Sequence, residues 1–141
     1  MEDIKVKLKN VIAILREKTD CDVIILFGSY ARGTKTKESD IDVAFRTKKE
    51  ISKQEQFDIK QELEEILKID VDLVNLDDIT DVFRYEILMN GETIYCKDNF
   101  KFDMYKLDMF REYLELNESR KDIIERVKNG GTIYGKWGRY S

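Results

Sequence analysis

Residues 22–45, DVIILFGSYARGTKTKESDIDVAF, decide the fold of this chain. The first six residues form a continuous apolar and β-branched run that ends at Gly28, which predicts a buried strand. The glycine-containing segment 28–33 then turns the chain, and the polar residues 34–39 predict a loop. In residues 40–45 acidic and apolar side chains alternate, which predicts a half-buried strand with Asp40 and Asp42 on one face.

The spacing of apolar residues on either side of this stretch predicts the remaining elements. We expect helices over 4–18, 52–68, 80–89 and 102–127, and strands over 71–75 and 92–96. This order predicts an α/β (α+β) domain with a small mixed sheet, flanking helices and a long C-terminal helix. We expect that domain to occupy residues 1–128, including the long helix, and residues 129–141 to form a flexible tail rich in glycine and aromatic residues.

Composition excludes several classes of protein. The 141 residues are 42% hydrophobic and 38% charged, which indicates one domain rather than two. With 25 basic and 29 acidic residues, the net charge of −4 argues against a general binder of nucleic acids or membrane surfaces. The absence of histidine excludes a Ser-His-Asp triad and a His-ligated metal. Because no leader or membrane-spanning segment is visible, we expect a cytoplasmic protein.

The segment that begins at Gly28 contains the residue types that bind phosphate. A glycine turn that leaves a strand frees backbone N–H groups to point at a phosphate. Ser29 adds a hydroxyl donor, and Arg32 adds a permanently charged guanidinium. A Gly-Ser turn after a strand is also a common structural feature, and Arg32 could instead pair with an acidic side chain of the loop. This segment alone therefore leaves both interpretations open.

Asp40 and Asp42 strengthen the functional interpretation. Carboxylates at positions i and i+2 of a strand repel each other unless a cation lies between them. Mg²⁺ is the candidate cation, because it takes hard oxygen ligands together with water and phosphate oxygens; a solvated strand face is the alternative. Asp72 can join the pair if its strand is a neighbour, and three carboxylates can hold two metal ions. We prefer Asp72 to Asp70 because Asp72 lies within an apolar run, where an unpaired carboxylate is costly.

Taken together, these residues resemble the nucleotidyltransferase fold of the DNA polymerase β superfamily. The signature of that fold is a Gly-Ser turn, an Asp-x-Asp pair and an aspartate on a later strand. The string GSYARG (28–33), followed after five residues by SDID (39–42), is similar to that of the minimal nucleotidyltransferase family. Members of that family are short chains paired with HEPN-domain proteins, often as MntA-type antitoxins against a HEPN ribonuclease toxin.

The resemblance implies a role for each residue of the motif. The expected nucleotide-binding residues are Gly28, Ser29, Arg32 and Ser39. The expected catalytic residues, which would also be the metal ligands, are Asp40, Asp42 and Asp72.

The resemblance also implies a reaction, a Mg²⁺-dependent transfer of AMP from ATP to a tyrosine hydroxyl of a HEPN toxin. Two Mg²⁺ ions would activate the hydroxyl and neutralise the leaving pyrophosphate, so no histidine is needed. The bulk and charge of AMP beside an RNA-binding surface would neutralise the toxin. The expected partners are thus a HEPN toxin and ATP, without direct binding of nucleic acid or membrane.

Two other functions remain open at this point. The chain could be a non-catalytic antitoxin that inhibits its partner by binding alone, with the apolar stripe Met109, Tyr113 and Leu116 of the last helix facing that partner. A stripe of this kind more often belongs to the core. The chain could also be an aminoglycoside-type transferase for small molecules, although little room for a substrate domain follows Cys96. The clustered aspartates favour catalysis over pure binding.

Overall fold

The computed structural model of the chain describes residues 4–28 and 40–116. In these ranges it contains four α-helices and four strands, together with a 3₁₀ turn at Leu76–Asp78. The elements are α1 (Ile4–Thr19), β1 (Val23–Phe27), β2 (Ile41–Arg46), α2 (Lys53–Leu67), β3 (Val71–Asn75), α3 (Asp81–Asn90), β4 (Glu92–Cys96) and α4 (Asn99–Leu116). Their order confirms the predicted α/β (α+β) fold.

The strands form one mixed sheet in the order β3-β2-β1-β4. β1 pairs antiparallel with both β2 and β4, whereas β2 and β3 run parallel. The parallel pair requires a crossover connection, and α2 supplies it. The predicted neighbour relation between the strand of Asp42 and the strand of Asp72 is therefore confirmed.

Helices cover both faces of the sheet. On one face, residues of α1 and α2 pack against alternate residues of the strands, with Leu15, Leu63 and Phe45 fully buried among them. On the other face, residues of α3 and α4, among them Ile87 and Phe102, pack against the intervening strand residues. Because successive strand side chains point to opposite faces, each strand contributes to both cores.

Local signals in the sequence account for the starts of three of the four described helices. Ser52 caps α2, and its side chain and that of Glu55 form the predicted capping box. Thr80 caps α3 by accepting the N–H of Phe83. The last helix begins at Asn99, earlier than predicted, because the Asp98 side chain accepts the N–H of Lys101 at 3.1 Å. Residues 117–127 of the predicted helix, residue 128 and the tail 129–141 lie outside the described residues.

Two residues of the apolar stripe that could have faced a partner, Met109 and Tyr113, pack against α3, and the side chain of Leu116 lies outside the described residues. Tyr113 is buried and stacks on Tyr85 of α3, with ring centroids 4.3 Å apart, and Met109 contacts Arg84 of the same helix. The stripe is therefore core at these positions. A different face of α4 is exposed, and its large apolar side chains are Phe100, Met104 and Leu107. Within the described ranges, no helix is both long and apolar enough to cross a bilayer.

Side chains of α2 cover the outer edge of β3. Glu64 accepts the N–H of Val71 at 3.0 Å, and Gln56 donates to the carbonyl of Leu73 at 2.8 Å. Lys60 pairs with Glu64 at 3.0 Å. These contacts satisfy edge groups that could otherwise pair with another chain, and they hold the strand that carries Asp72.

We expect Glu64→Gln to lower the free energy of unfolding at pH 7 by about 1 kcal/mol, because a charge-assisted hydrogen bond to the Val71 N–H is lost. That N–H holds the pKa of Glu64 below its ordinary value of 4.5. The stabilisation is thus present above pH 4.5 and is lost as the pH falls through the folded-state pKa. Urea unfolding at pH 7 and at low pH measures the difference. Glu65→Gln, an exposed neighbour on α2, is the control, and an equal loss in both variants would contradict the assignment.

Candidate active site

Three side chains form a row across the sheet at one end of the α3–α4 face. Phe27 at the end of β1 is the register partner of Asp42 on β2, and Asp42 is in turn the partner of Asp72 on β3. Register partners of adjacent strands point to the same face, with Cβ atoms about 5 Å apart. The two carboxylates therefore lie side by side with an aromatic ring on one flank. Ala44 and Val74, two residues further along these strands, belong to the apolar core of the same face.

Gly28 lies directly against Asp42. It adopts a φ of +75°, a left-handed conformation that favours glycine. A Cβ placed on Gly28 would come within 2.9 Å of the Asp42 Cγ and would overlap its Oδ2 oxygen. The turn can approach the carboxylate this closely only because position 28 has no side chain. This contact joins the predicted phosphate-binding turn to the predicted metal ligands.

The third carboxylate, Asp40, lies just before β2 and is exposed. Burial raises the pKa of Asp42 from 3.8 to about 6, and the negative charges of Asp72 and Asp40 add to this rise. Asp42 itself is half-buried. The three predicted carboxylates therefore share one electrostatic environment, in which bringing a cation to Asp42 relieves repulsion.

Asp72 is exposed, so the argument from burial that favoured it over Asp70 is wrong. The apolar neighbours of Asp72 point to the opposite face, and its own side chain reaches solvent. The register supplies a better reason for preferring Asp72, because this residue is the partner of Asp42. Asp70 precedes β3, and its backbone carbonyl accepts the N–H of Ile41 at 3.0 Å.

The remaining predicted nucleotide-binding residues, Ser29, Arg32 and Ser39, lie outside the described residues. Their roles stay predictions. Gly28 and Asp40, which flank that segment in sequence, both lie at the end of the sheet where Asp42 lies.

The donor set at Asp42 fits Mg²⁺ in chemistry. The carboxylate oxygens are hard ligands. The pKa of Asp42 is raised, and a bound divalent cation would lower it again. Across residues 4–28 and 40–116, no three acidic or sulfur side chains converge closely enough to enclose a metal on their own. Mg²⁺ does not require such a cage, since it is usually held by one or two carboxylates, with waters and substrate phosphates completing its shell. The site is therefore suited to a metal that arrives with a phosphate ligand.

Sequence reasoning missed Phe27 as part of this site. Its ring lies beside Asp42 and packs edge-on against Phe83 of α3, with centroids 5.8 Å apart and an interplanar angle of 82°. The period-two spacing of β1 together with the antiparallel pairing could have placed Phe27 beside Asp42, but the pairing was not known from sequence.

Residues 9–100, which include the Gly28 turn and all three aspartates, match the family described as polymerase beta, nucleotidyltransferase. This match extends over more than half of the chain. The chain belongs to the polymerase β nucleotidyltransferase family. It is accordingly an enzyme of the nucleotidyltransferase class.

Individual relatives show which members of the family this nucleotidyltransferase is similar to. The protein adenylyltransferase MntA of Shewanella oneidensis is 30% identical over 120 residues, which cover 83% of this chain and 84% of that protein. A crystal structure of a toxin-antitoxin with AMP-PNP superposes with a TM-score of 0.74 at 27% identity, covering 85% of this chain and 97% of that one. The Shewanella oneidensis MNT antitoxin, solved with a tri-AMPylated HEPN toxin, has the same fold, with a TM-score of 0.71 at 24% identity over 88% of this chain and 98% of that one.

The raised pKa of Asp42 predicts a pH-dependent stability for the metal-free nucleotidyltransferase. Because the folded-state pKa of about 6 lies above the ordinary 3.8, the charged form is disfavoured on folding. The stabilisation is thus fully present below pH 3.8 and is lost as the pH rises through 6. Such a rise corresponds to about 3 kcal/mol for a fully buried group. Solvent screening of the half-buried side chain reduces the expected effect to about 1 kcal/mol.

Asp42→Asn should remove this pH dependence. In the presence of a chelator, we expect the variant to be more stable than the wild type above pH 6. When Mg²⁺ replaces the chelator, the difference in unfolding free energy between the two proteins should become smaller. Urea unfolding at pH 4 and pH 7 measures both effects. If the free energy of unfolding changes with pH in the same way in both proteins, a group other than Asp42 causes the pH dependence.

Proposed function

We propose that this nucleotidyltransferase is a Mg²⁺-dependent protein adenylyltransferase and an antitoxin. It transfers AMP from ATP to a tyrosine hydroxyl of a HEPN ribonuclease toxin and thereby neutralises it. The observation that carries the proposal is the row of Asp42 and Asp72 beside the Gly28 turn. This arrangement occurs in a chain that is 30% identical to a protein adenylyltransferase over most of its length.

The Gly28 turn receives the triphosphate in this proposal. Its left-handed conformation and missing side chain let a phosphate approach the backbone, as they let the Asp42 carboxylate approach it. Ser29, Arg32 and Ser39 add a hydroxyl, a guanidinium and a second hydroxyl to the same nucleotide-binding set.

Asp40, Asp42 and Asp72 are the residues that would hold the metal ions. Bound Mg²⁺ would lower the pKa of the attacking hydroxyl and neutralise charge on the leaving pyrophosphate. Asp42, the most buried of the three, and Asp40 would be ligands of both ions. The exposed Asp72 would be a ligand of the ion that activates the acceptor hydroxyl. The tyrosine hydroxyl gives its proton to solvent and its oxygen attacks the α-phosphorus of ATP. The bond from that phosphorus to the oxygen that bridges to the β-phosphate breaks, and pyrophosphate leaves.

The proposal also includes the cellular compartment of the reaction and the extent of the domain. ATP and the toxin would meet the enzyme in the cytoplasm. The domain would extend to residue 128, with 129–141 as its tail.

The decisive experiment separates AMP transfer from other chemistry by the position of the label in ATP. The purified chain is incubated with a HEPN partner, Mg²⁺ and ATP labelled at either the α- or the γ-phosphate. We expect α-label on the partner, no γ-label, and loss of RNase activity that follows labelling in time. Mass spectrometry of the labelled partner should locate AMP on tyrosine. No α-label on any partner residue, or label on an aminoglycoside instead, would overturn the proposal.

The exposed apolar face of α4 supports one competing function, inhibition by contact alone. Phe100, with 74% of its surface exposed, and Leu107, with 54%, would be suited to cover a partner surface. Asp42→Asn distinguishes the two functions, because it removes a predicted metal ligand and leaves the exposed side chains of this face unchanged. An RNase assay in which this variant inhibits the toxin as fully as the wild type would favour contact inhibition.

A further inference from the structure

Helix α3 places an aromatic side chain next to the candidate active site, although it contains no predicted nucleotide or metal ligand. Phe83 lies in the first turn of this helix and meets the Phe27 ring edge-on, 5.8 Å between centroids at 82°. Phe27 is the residue immediately before Gly28 and the register partner of Asp42. A side chain from a helix with no predicted ligand therefore contacts the strand end on which the phosphate turn is built.

The first turn of α3 is itself held in place. The Arg84 guanidinium donates to the carbonyl of Leu76 at 2.8 Å and to that of Ile79 at 3.3 Å, and it pairs with Asp81 at 3.2 Å. Only 13% of the Arg84 side chain is exposed, so these bonds are largely shielded from water. Because the accepting carbonyls lie just after β3, they tie Phe83 to the strand that carries Asp72.

We propose that Phe83 is a positioning residue of the nucleotide site: it holds the Phe27 ring and thereby fixes the Gly28 turn against Asp42. This inference rests on the proposed nucleotidyl transfer. Little free space separates Gly28 from Asp42, since even a methyl group at position 28 would collide with the Asp42 carboxylate. A small displacement of the Phe27 backbone would therefore change the space between the turn and the carboxylates, where a phosphate and a metal ion must fit.

The test compares matched aromatic pairs. Phe83→Leu keeps apolar volume but removes the ring. Phe110→Leu makes the same change in the edge-on pair of Phe110 and Tyr85, with centroids 5.4 Å apart, which joins α3 to α4. Phe83→Tyr keeps the ring and serves as the conservative rescue. Thermal unfolding of all variants confirms that each is folded at the assay temperature.

Two readouts are used, binding of AMP-PNP with Mg²⁺ and steady-state AMP transfer. We expect Phe83→Leu to weaken AMP-PNP binding and to lower kcat/KM by about tenfold to a hundredfold, because small misplacements of reacting groups are costly. Both Phe83→Tyr and Phe110→Leu should stay within about twofold of the wild type, since neither displaces the Phe27 ring.

The outcomes separate this inference from the proposed function. If the wild type binds no nucleotide and transfers no AMP, the proposed function fails. If the wild type is active and Phe83→Leu binds nucleotide and reacts as the wild type does, the positioning role is overturned. Equal kinetic losses in Phe83→Leu and Phe110→Leu would also overturn it, because they would show a general effect of helix packing.

Discussion

Asp42→Asn is expected to abolish AMP transfer while leaving the protein folded. Asparagine keeps the shape of the side chain but removes the negative charge with which Asp42, together with the charges of Asp72 and Asp40, would attract a metal ion. Loss of one shared ligand removes several kcal/mol of transition-state stabilisation, and about 4 kcal/mol corresponds to about a thousandfold loss of kcat. Single-turnover labelling of the partner with α-labelled ATP measures the loss.

The same assay can test the preference for Asp72 over Asp70 as the third ligand. We expect Asp72→Asn to lose activity nearly as severely as Asp42→Asn, because the two are register partners. Asp70→Asn is the matched control, since Asp70 lies just before the same strand and contributes its backbone carbonyl to the pairing of β3 with β2. An inactive Asp70→Asn beside an active Asp72→Asn would reverse the assignment of the third ligand.

Gly28→Ala is expected to have the second large effect. One added methyl group would collide with the Asp42 carboxylate, and a φ of +75° is strained for any residue with a Cβ. The strain should cost about 1–2 kcal/mol of stability. Displacement of the carboxylate should lower kcat/KM by about a hundredfold or more, because reacting groups tolerate little misplacement. Urea unfolding and the AMP-transfer assay measure the two effects separately.

Gly91→Ala provides the comparison that separates strain from catalysis. A Cβ at Gly91 would come within 2.5 Å of the Ile25 side chain and 2.6 Å of the Ile87 carbonyl, so this variant should also be destabilised. Its neighbours are core groups rather than site carboxylates, and we expect its KM for ATP to stay near that of the wild type. If AMP transfer falls in proportion to the loss of stability in both variants, Gly28 acts through the fold alone.

The sequence by itself determined the elements and most of their ends. Apolar runs and alternating apolar residues placed the strands, and side-chain caps such as those at Ser52 and Thr80 set helix starts. These signals act within a few residues of the backbone that they satisfy. The missed start of α4 at Asp98 follows the same local rule. The motif around Gly28 and Asp42 was likewise sufficient to predict the family, which the match over residues 9–100 confirms.

Only the tertiary structure decided how these parts meet. The register that makes Phe27, Asp42 and Asp72 one row depends on strand pairing between segments distant in the chain, which local patterns do not encode. For the same reason the exposure of Asp72 could not be read from its apolar neighbours. Which face of α4 packs was equally undetermined, because Met104 and Tyr113 both lie in the predicted helix and the position of α3 decides which of them is buried.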